Sequence, residues 1–240
     1  MRIIDLHCYP NTQKWIDCQG PYVDALEKYW GRAWQAKTEE EVVAEFTEFG
    51  IEAMLVALDL TTTIETPPCD NDYVAGMRDR HDAIIQAWAA VEPVLGQAAI
   101  DEAKHAINDL NMIGFHFHPI MQHIRVDDKS FYPLWDELTQ LKAPVMIDVG
   151  MTGMGAGMPG GLGAKTRNAH PASIDALAAD FPDLTIIMSH PGYPWIDELL
   201  VLAGKHEHVF AEVSGVATRP WQVYNALSTA WSLNVMDRLL

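Results

Sequence analysis

Apolar positions along the chain alternate between two spacings. Short continuous apolar runs alternate with longer stretches in which apolar residues recur every three or four positions. The first run predicts a strand over the opening ten residues. Alternate strand residues share a face, so Asp5, His7 and Tyr9 are expected on one side and Ile4, Leu6 and Cys8 on the other. Residues 11–37 have no clear period but carry Trp15, Tyr22, Tyr29, Trp30 and Trp34, which predicts a partly helical cap segment. Thr38-Glu39-Glu40-Glu41 is a capping-box pattern leading a helix to Gly50.

From there strands are expected at 51–58, 84–91, 112–119, 144–150, 184–190 and 209–216. Helices are expected between them. One spans 71–80, and a second places Ile100, Ala103, Ile107 and Leu110 on one face. A third carries Leu134, Trp135, Leu138 and Leu141, with Pro133 in its first turn. A fourth turns Ile174, Leu177, Ala178 and Phe181 inward. A fifth starts at Pro194, a favourable first position, and a sixth covers 221–231. Arg238-Leu239-Leu240 reads as the start of one more strand.

Apolar strands alternating with amphipathic helices form a parallel sheet covered by helices. Seven such units and the first residues of an eighth predict an α/β fold, a TIM-type (β/α)8 barrel incomplete at its C-terminus. The expectation is one domain over residues 1–240, with 11–37 as its cap. Open edges on the first and last strands are an association liability, so a homo-oligomer is expected.

Composition narrows the function classes. A net charge of −17 excludes nucleic acid and anionic membrane surfaces as expected partners, since both require clustered Lys and Arg. No apolar run reaches the roughly 20 residues of a membrane span. Three cysteines, Cys8, Cys18 and Cys69, form no C-x-x-C pair and point to a reducing, cytoplasmic setting. The expected partner is a small-molecule substrate. An acidic exterior is compatible with an anionic one, provided that a local positive site such as a metal is present.

Candidate chemistry collects where the strands end. His7 and Tyr9 close the first, His116 and His118 the fourth, Asp148 the fifth, His190 the sixth, and Glu212 with Ser214 the seventh. In a barrel these C-terminal ends converge on one mouth. Histidines with a carboxylate suit one divalent metal, Zn or Mn, which would polarise a carbonyl or activate water. A histidine outside the coordination shell would serve as general acid or base. Gly155-Ala156-Gly157-Met158-Pro159-Gly160 formally fits G-x-G-x-x-G, but Pro159 and the distant next helix argue for a loop at the mouth. Lys165 and Arg167 would be available there for a substrate carboxylate.

Four motifs carry a resemblance to a known family: Ile3-Ile4-Asp5-Leu6-His7, Gly114-Phe115-His116-Phe117-His118-Pro119, Pro144-Val145-Met146-Ile147-Asp148 and Ile186-Ile187-Met188-Ser189-His190-Pro191-Gly192. They resemble successive strands of the amidohydrolase superfamily, in the branch of aminocarboxymuconate-semialdehyde decarboxylase and γ-resorcylate decarboxylase. The resemblance spans the chain. It implies a distorted barrel with a divalent metal held by an H-x-H or E-x-H pair on strand one, a histidine on strand five and an aspartate on strand eight. A strand-six histidine assists catalysis.

His7 matches the first histidine of the pair and His190 the catalytic histidine. Tyr9 stands at the second histidine of the pair and Asp148 at the strand-five histidine. The strand-eight aspartate would fall beyond Leu240. The implied site therefore has His190 and Asp148 as catalytic residues and His7, Asp148 and His190 as metal ligands. Tyr9, His116, His118 and Arg167 would contact substrate. The expected activity is hydrolysis of a C–N or C–O bond in a small carboxylated or cyclic substrate. The alternatives are non-oxidative decarboxylation on the same scaffold, a metal-free site worked by His190 and Asp148, and a catalytically silent barrel acting as a binding protein.

Overall fold

A computed structural model describes residues 2–150, 153–215 and 220–240. The last residue of the expected 209–216 strand and the first residues of the Gly-rich stretch, at 151–152, lie outside the described residues. The chain forms two compact units, Met1–His116 with Gly153–Ala164, and Phe117–Thr152 with Lys165–Leu240.

The first unit opens with β1 (Ile3–Cys8), followed by α1 (Gln13–Gln19) and α2 (Tyr22–Trp30). An extended segment then returns to the end of β1, where Thr12 bridges Lys37 and the Lys37 N–H donates to the Asn11 carbonyl at 3.0 Å. The cap is thus two short helices and a strap. Next come α3 (Glu39–Phe49), β2 (Ile51–Val56), α4 (Thr61–Ile64), α5 (Asn71–Arg80), β3 (Ile84–Ala89), α6 (Gln97–Asn108) and β4 (Gly114–Phe117). The capping box forms as read: Glu41 N–H donates to Thr38 Oγ1 at 3.2 Å, and Thr38 N–H to the Glu41 carboxylate at 2.8 Å.

β1 pairs with β2, β2 with β3 and β3 with β4, all parallel. The β1–β2 register shifts between Asp5 and Cys8, which interrupts the two-residue alternation expected at Asp5, His7 and Tyr9. Asp5 bends back instead and accepts the His7 N–H at 3.1 Å. α5 packs on β3 and buries Val74, Ala75 and Met77.

In the first unit, β2 and β3 stop short of their expected ends for identifiable reasons. Beyond β2, Leu58 pairs antiparallel with Cys69 to close a loop that contains α4. Beyond β3, both backbone groups of Ala90 bond the Asn71 side-chain amide, at 2.8 and 3.0 Å. A backbone group already paired leaves nothing for a ladder.

The second unit contains α7 (Tyr132–Gln140), β5 (Val145–Asp148), α8 (Ala172–Asp180), β6 (Ile186–Ser189), α9 (Ile196–Lys205), β7 (Val209–Ala211) and α10 (Pro220–Leu233). β5 pairs with β6 and β6 with β7, again parallel. Every residue of β5 and β6 is buried, as the continuous apolar runs require. Trp135, Leu138, Met146, Ile147 and Ile174 form the fully buried centre. Trp135 also donates its Nε1–H to the Val126 carbonyl at 3.0 Å, so its burial leaves no polar group unpaired.

α9 starts at Ile196, two residues later than expected. The Trp195 N–H donates to the Gly192 carbonyl at 2.7 Å and closes a turn that leaves Pro194 outside the helix. Seven parallel strands follow one another in chain order, with helices between them, in the succession of a TIM-type barrel. The eighth strand is represented by Leu239, which bridges Ala211 in parallel, and by the Leu240 N–H donating to the Ala211 carbonyl at 2.8 Å.

Among the described residues no helix is long and apolar enough to cross a membrane. Cys8, Cys18 and Cys69 are buried free thiols.

Candidate active site

The residues expected at strand ends form a cluster in each unit. In the first, His7 and His116 are buried, with ring centroids 4.9 Å apart. Tyr9 meets His7 edge-on at 5.4 Å, and its other face stacks on Trp15 at 4.8 Å. The bulge in β1 sits at this cluster, a common place for a strand to re-aim its side chains.

In the second unit the cluster centres on Asp148, the last residue of β5 and 4% exposed. His118 Nε2 lies 3.3 Å from one carboxylate oxygen and His190 Nε2 lies 3.7 Å from the other. The second contacts of these imidazoles fix their protons. Met121 N–H donates to His118 Nδ1 at 3.3 Å, so Nδ1 is an acceptor and the neutral ring carries its proton on Nε2, facing Asp148. His190 is the reverse. Its Nδ1 lies 3.1 Å from Ser214 Oγ and 3.3 Å from the Ser214 carbonyl. The Ser214 hydroxyl donates to the Glu212 carboxylate at 2.8 Å, because a carboxylate can only accept. Both Ser214 oxygens can therefore accept from His190 Nδ1–H, which leaves Nε2 as the ring nitrogen turned toward Asp148.

His190 is held from several sides. Its backbone has φ +68, a left-handed conformation uncommon for a residue other than glycine. Glu212, 3% exposed, accepts its backbone N–H at 3.0 Å. The same carboxylate accepts the Ser214 N–H, which turns the chain after β7 and ends that strand earlier than its sequence reads. Gly215, at φ +71, lies against the imidazole, and a Cβ there would sit 2.7 Å from His190 Nδ1. Below the site, a Cβ on Gly150 (φ +89) would lie 2.6 Å from the Gly192 backbone, so the exits of β5 and β6 touch main chain to main chain.

Asp148 and His190 fit a divalent ion. A ligating histidine donates Nδ1–H to a fixed acceptor and offers a bare Nε2, which describes His190. Asp148 supplies the carboxylate, and their 3.7 Å separation is close to that of donors each ~2.1 Å from one ion. His118 does not fit, since its Nε2 holds the proton. It stands beside Asp148, with its Nε2 3.3 Å from the carboxylate.

Among the other expected residues, Arg167 and Lys165 are exposed, Arg167 in a turn over Thr166–Ala169. That turn is tied to the β5 exit by Gly150 N–H donating to the Ala169 carbonyl at 2.9 Å. The G-x-G-x-x-G stretch runs into a short 3-10 turn over Pro159–Gly163 and opens no α-helix, as α8 starts only at Ala172. It docks on α2, where Lys28 Nζ donates to the Gly157 carbonyl at 2.9 Å and Gly153 abuts the Tyr29 ring.

One group was missed altogether. Glu92, just past β3 and 2% exposed, accepts the Thr62 N–H at 3.0 and 3.1 Å. Burial pushes its carboxyl up to about 7, with the Thr62 N–H opposing the rise and Asp59 adding to it. The only signal in the sequence is one acid closing the apolar run 87–91.

A family model described as Amidohydrolase matches residues 4–240. The chain belongs to the amidohydrolase family. No curated protein matches this amidohydrolase by sequence. Among solved structures, it is similar to an uncharacterized TIM-barrel protein from Bordetella bronchiseptica, at 19% identity and TM-score 0.70, over 100% of this chain and 84% of that one. It is also similar to a manganese complex of 5-carboxyvanillate decarboxylase from Novosphingobium aromaticivorans, at 17% identity and TM-score 0.67, over 99% and 84%. A third is a probable 2-pyrone-4,6-dicarboxylic acid hydrolase from Acinetobacter baumannii, at 12% identity and TM-score 0.65, over 100% and 82%. At these identities the likeness establishes the fold of the amidohydrolase as that of a TIM-type barrel.

Proposed function

We propose that this amidohydrolase acts on a small carboxylated ring compound, that His190 is its proton-transfer residue, and that decarboxylation is its reaction. The observation that carries the reading is the contact of His190 Nδ1 with Ser214, which turns Nε2 toward Asp148. Ser214 holds the proton on Nδ1, so Nε2 is the atom that takes up and returns a proton beside Asp148. In the protonated state Asp148 stabilises the imidazolium. The Nε2 proton passes to the ring carbon that bears the carboxylate. The carbon–carbon bond then breaks, its electron pair stays on the ring, and CO2 leaves.

Asp148 is the metal donor in this reading, and His190, whose geometry would also suit a ligand, serves as the proton carrier. A bound divalent ion would supply polarisation of the substrate's oxygens. Support for decarboxylation comes from the fold shared with 5-carboxyvanillate decarboxylase, which was solved with manganese. Hydrolysis is the second reading, carried by the similarity to the probable pyrone-dicarboxylic acid hydrolase. It would use the same Nε2 to activate water.

The test is purified protein with added Mn2+ or Zn2+, assayed for CO2 release from 5-carboxyvanillate and 2,6-dihydroxybenzoate and for loss of pyrone absorbance with 2-pyrone-4,6-dicarboxylate. CO2 release abolished by His190→Gln supports the proposal. Pyrone opening without CO2 release moves the assignment to hydrolysis. Neither activity, with no bound metal and no stabilisation by Mn2+, would leave the binding-protein reading.

A further inference from the structure

A cleft of about 480 Å³ lies in the first unit between the end of β1, the C-terminal end of α2 and the strap 32–37. Its size falls within the range of small-molecule sites. Its aromatic lining is Tyr9, Trp30 and Trp34, and its charged lining is Glu27, Arg32 and Lys37. Two of these charges are already engaged. Lys37 Nζ holds the Glu45 carboxylate at 2.5 and 2.6 Å, and Glu27 accepts the Trp34 N–H at 2.7 Å.

Arg32 is different. Arg2, Arg78, Arg80, Arg125 and Arg238 each contact a carboxylate. Among the described residues Arg32 and Arg167 have no such partner, and of these two it is Arg32 that lines the cleft. In a chain of net charge −17, an uncommitted guanidinium in a cleft that two indole rings also line is a local source of positive charge. Guanidinium geometry matches a carboxylate through two parallel N–H bonds, and indole faces accept a flat ring. Tyr9 continues the cleft inward, since the same ring stands edge-on to His7.

We propose that this cleft binds a planar aromatic carboxylate, with its ring against Trp30, Trp34 and Tyr9 and a carboxylate on Arg32. The ligand class deepens, and rests on, the proposed action on a carboxylated ring compound. The placement itself rests on the first unit alone. Arg32 and the two tryptophans are then specificity-determining residues.

Calorimetric titration of the full chain with 4-hydroxybenzoate and with its neutral counterpart 4-hydroxybenzamide tests this directly. Wild type is expected to bind the benzoate roughly tenfold more tightly than the benzamide. Arg32→Gln is expected to remove that preference while leaving benzamide affinity unchanged, and Trp34→Ala to weaken both. Arg32 is exposed, so Arg32→Gln should melt like wild type, which a thermal scan checks. Equal affinity for the two probes, no binding of the benzoate by wild type, or a preference that survives Arg32→Gln would overturn the inference. The two proposals can fail separately. Charge-selective binding without turnover sinks the reaction and keeps the cleft, and turnover with an Arg32-independent KM does the opposite.

Discussion

Glu92 offers a quantitative test of how the first unit stores an unfavourable charge. The carboxyl is 2% exposed, and its one identified donor is the Thr62 N–H, met by both oxygens. Burial raises its pKa from 4.5 to about 7. At 1.36 kcal/mol per unit, that rise amounts to about 3 kcal/mol of differential interaction. The folded state therefore binds this proton more tightly than the unfolded chain does. The resulting stabilisation is complete below about pH 4.5 and is lost as pH rises through 7. Glu92→Gln keeps an oxygen to accept the Thr62 N–H and removes the charge. The variant should match wild type within a degree or two at pH 5 and exceed it by up to about 3 kcal/mol at pH 8.5. For a chain of this size that is several degrees in Tm, at about 2–4 °C per kcal/mol. Thermal unfolding followed by circular dichroism at the two pH values reads the difference. A variant that melts at or below the wild-type temperature at pH 8.5 would show that Glu92 is not held as a costly anion.

Three further outcomes follow from the geometry. Gly215→Ala places a methyl group about 2.7 Å from His190 Nδ1 at a left-handed position; turnover should fall by at least tenfold, and unchanged kcat would disprove the contact. Ser214→Ala removes one of two acceptors for Nδ1–H but leaves the Ser214 carbonyl, so kcat should fall modestly and the pH–rate profile should move; an unmoved profile would dissociate Ser214 from the proton position. Thr38→Ala breaks one half of the α3 capping box and should cost about 1 kcal/mol in chemical denaturation, with no effect on any activity.

The order of elements was legible because continuous apolar runs and amphipathic stretches report burial on two faces or on one. α5 begins at Asn71 and ends at Arg80, as read, because Asp70 caps it through the Tyr73 N–H and its periodicity is local. The strand ends were less legible, since what stops a strand is often a side chain distant in sequence. Asn71 ends β3 by taking Ala90, nineteen residues on. The site residues could be picked out as polar groups at the ends of apolar runs, which is how Asp148, His118 and His190 came into view. Their roles could not, because a role here depends on a proton. Ser214, named only as a strand-end residue, holds His190 through Nδ1. Met121, which carries no reactive group, does the same for His118 through its backbone. The cleft around Arg32 was out of reach for the same reason: nothing local distinguishes an arginine with a carboxylate partner from one without.

The contact between Gly150 and Gly192 bears on how this protein can change over time. Two loops that carry the reactive groups approach so closely that a methyl group on Gly150 would strike the Gly192 backbone, while one on Gly192 would meet the Leu199 side chain. Such a seam resists substitution as strongly as a reacting residue does, although it takes no part in any bond-making. A map of mutational tolerance across the second unit should therefore show intolerant positions that hold no chemistry, Gly150 foremost among them. New specificities would then be easiest to reach from side chains at the surface of these loops, with the paired glycines left as the fixed hinge of the design.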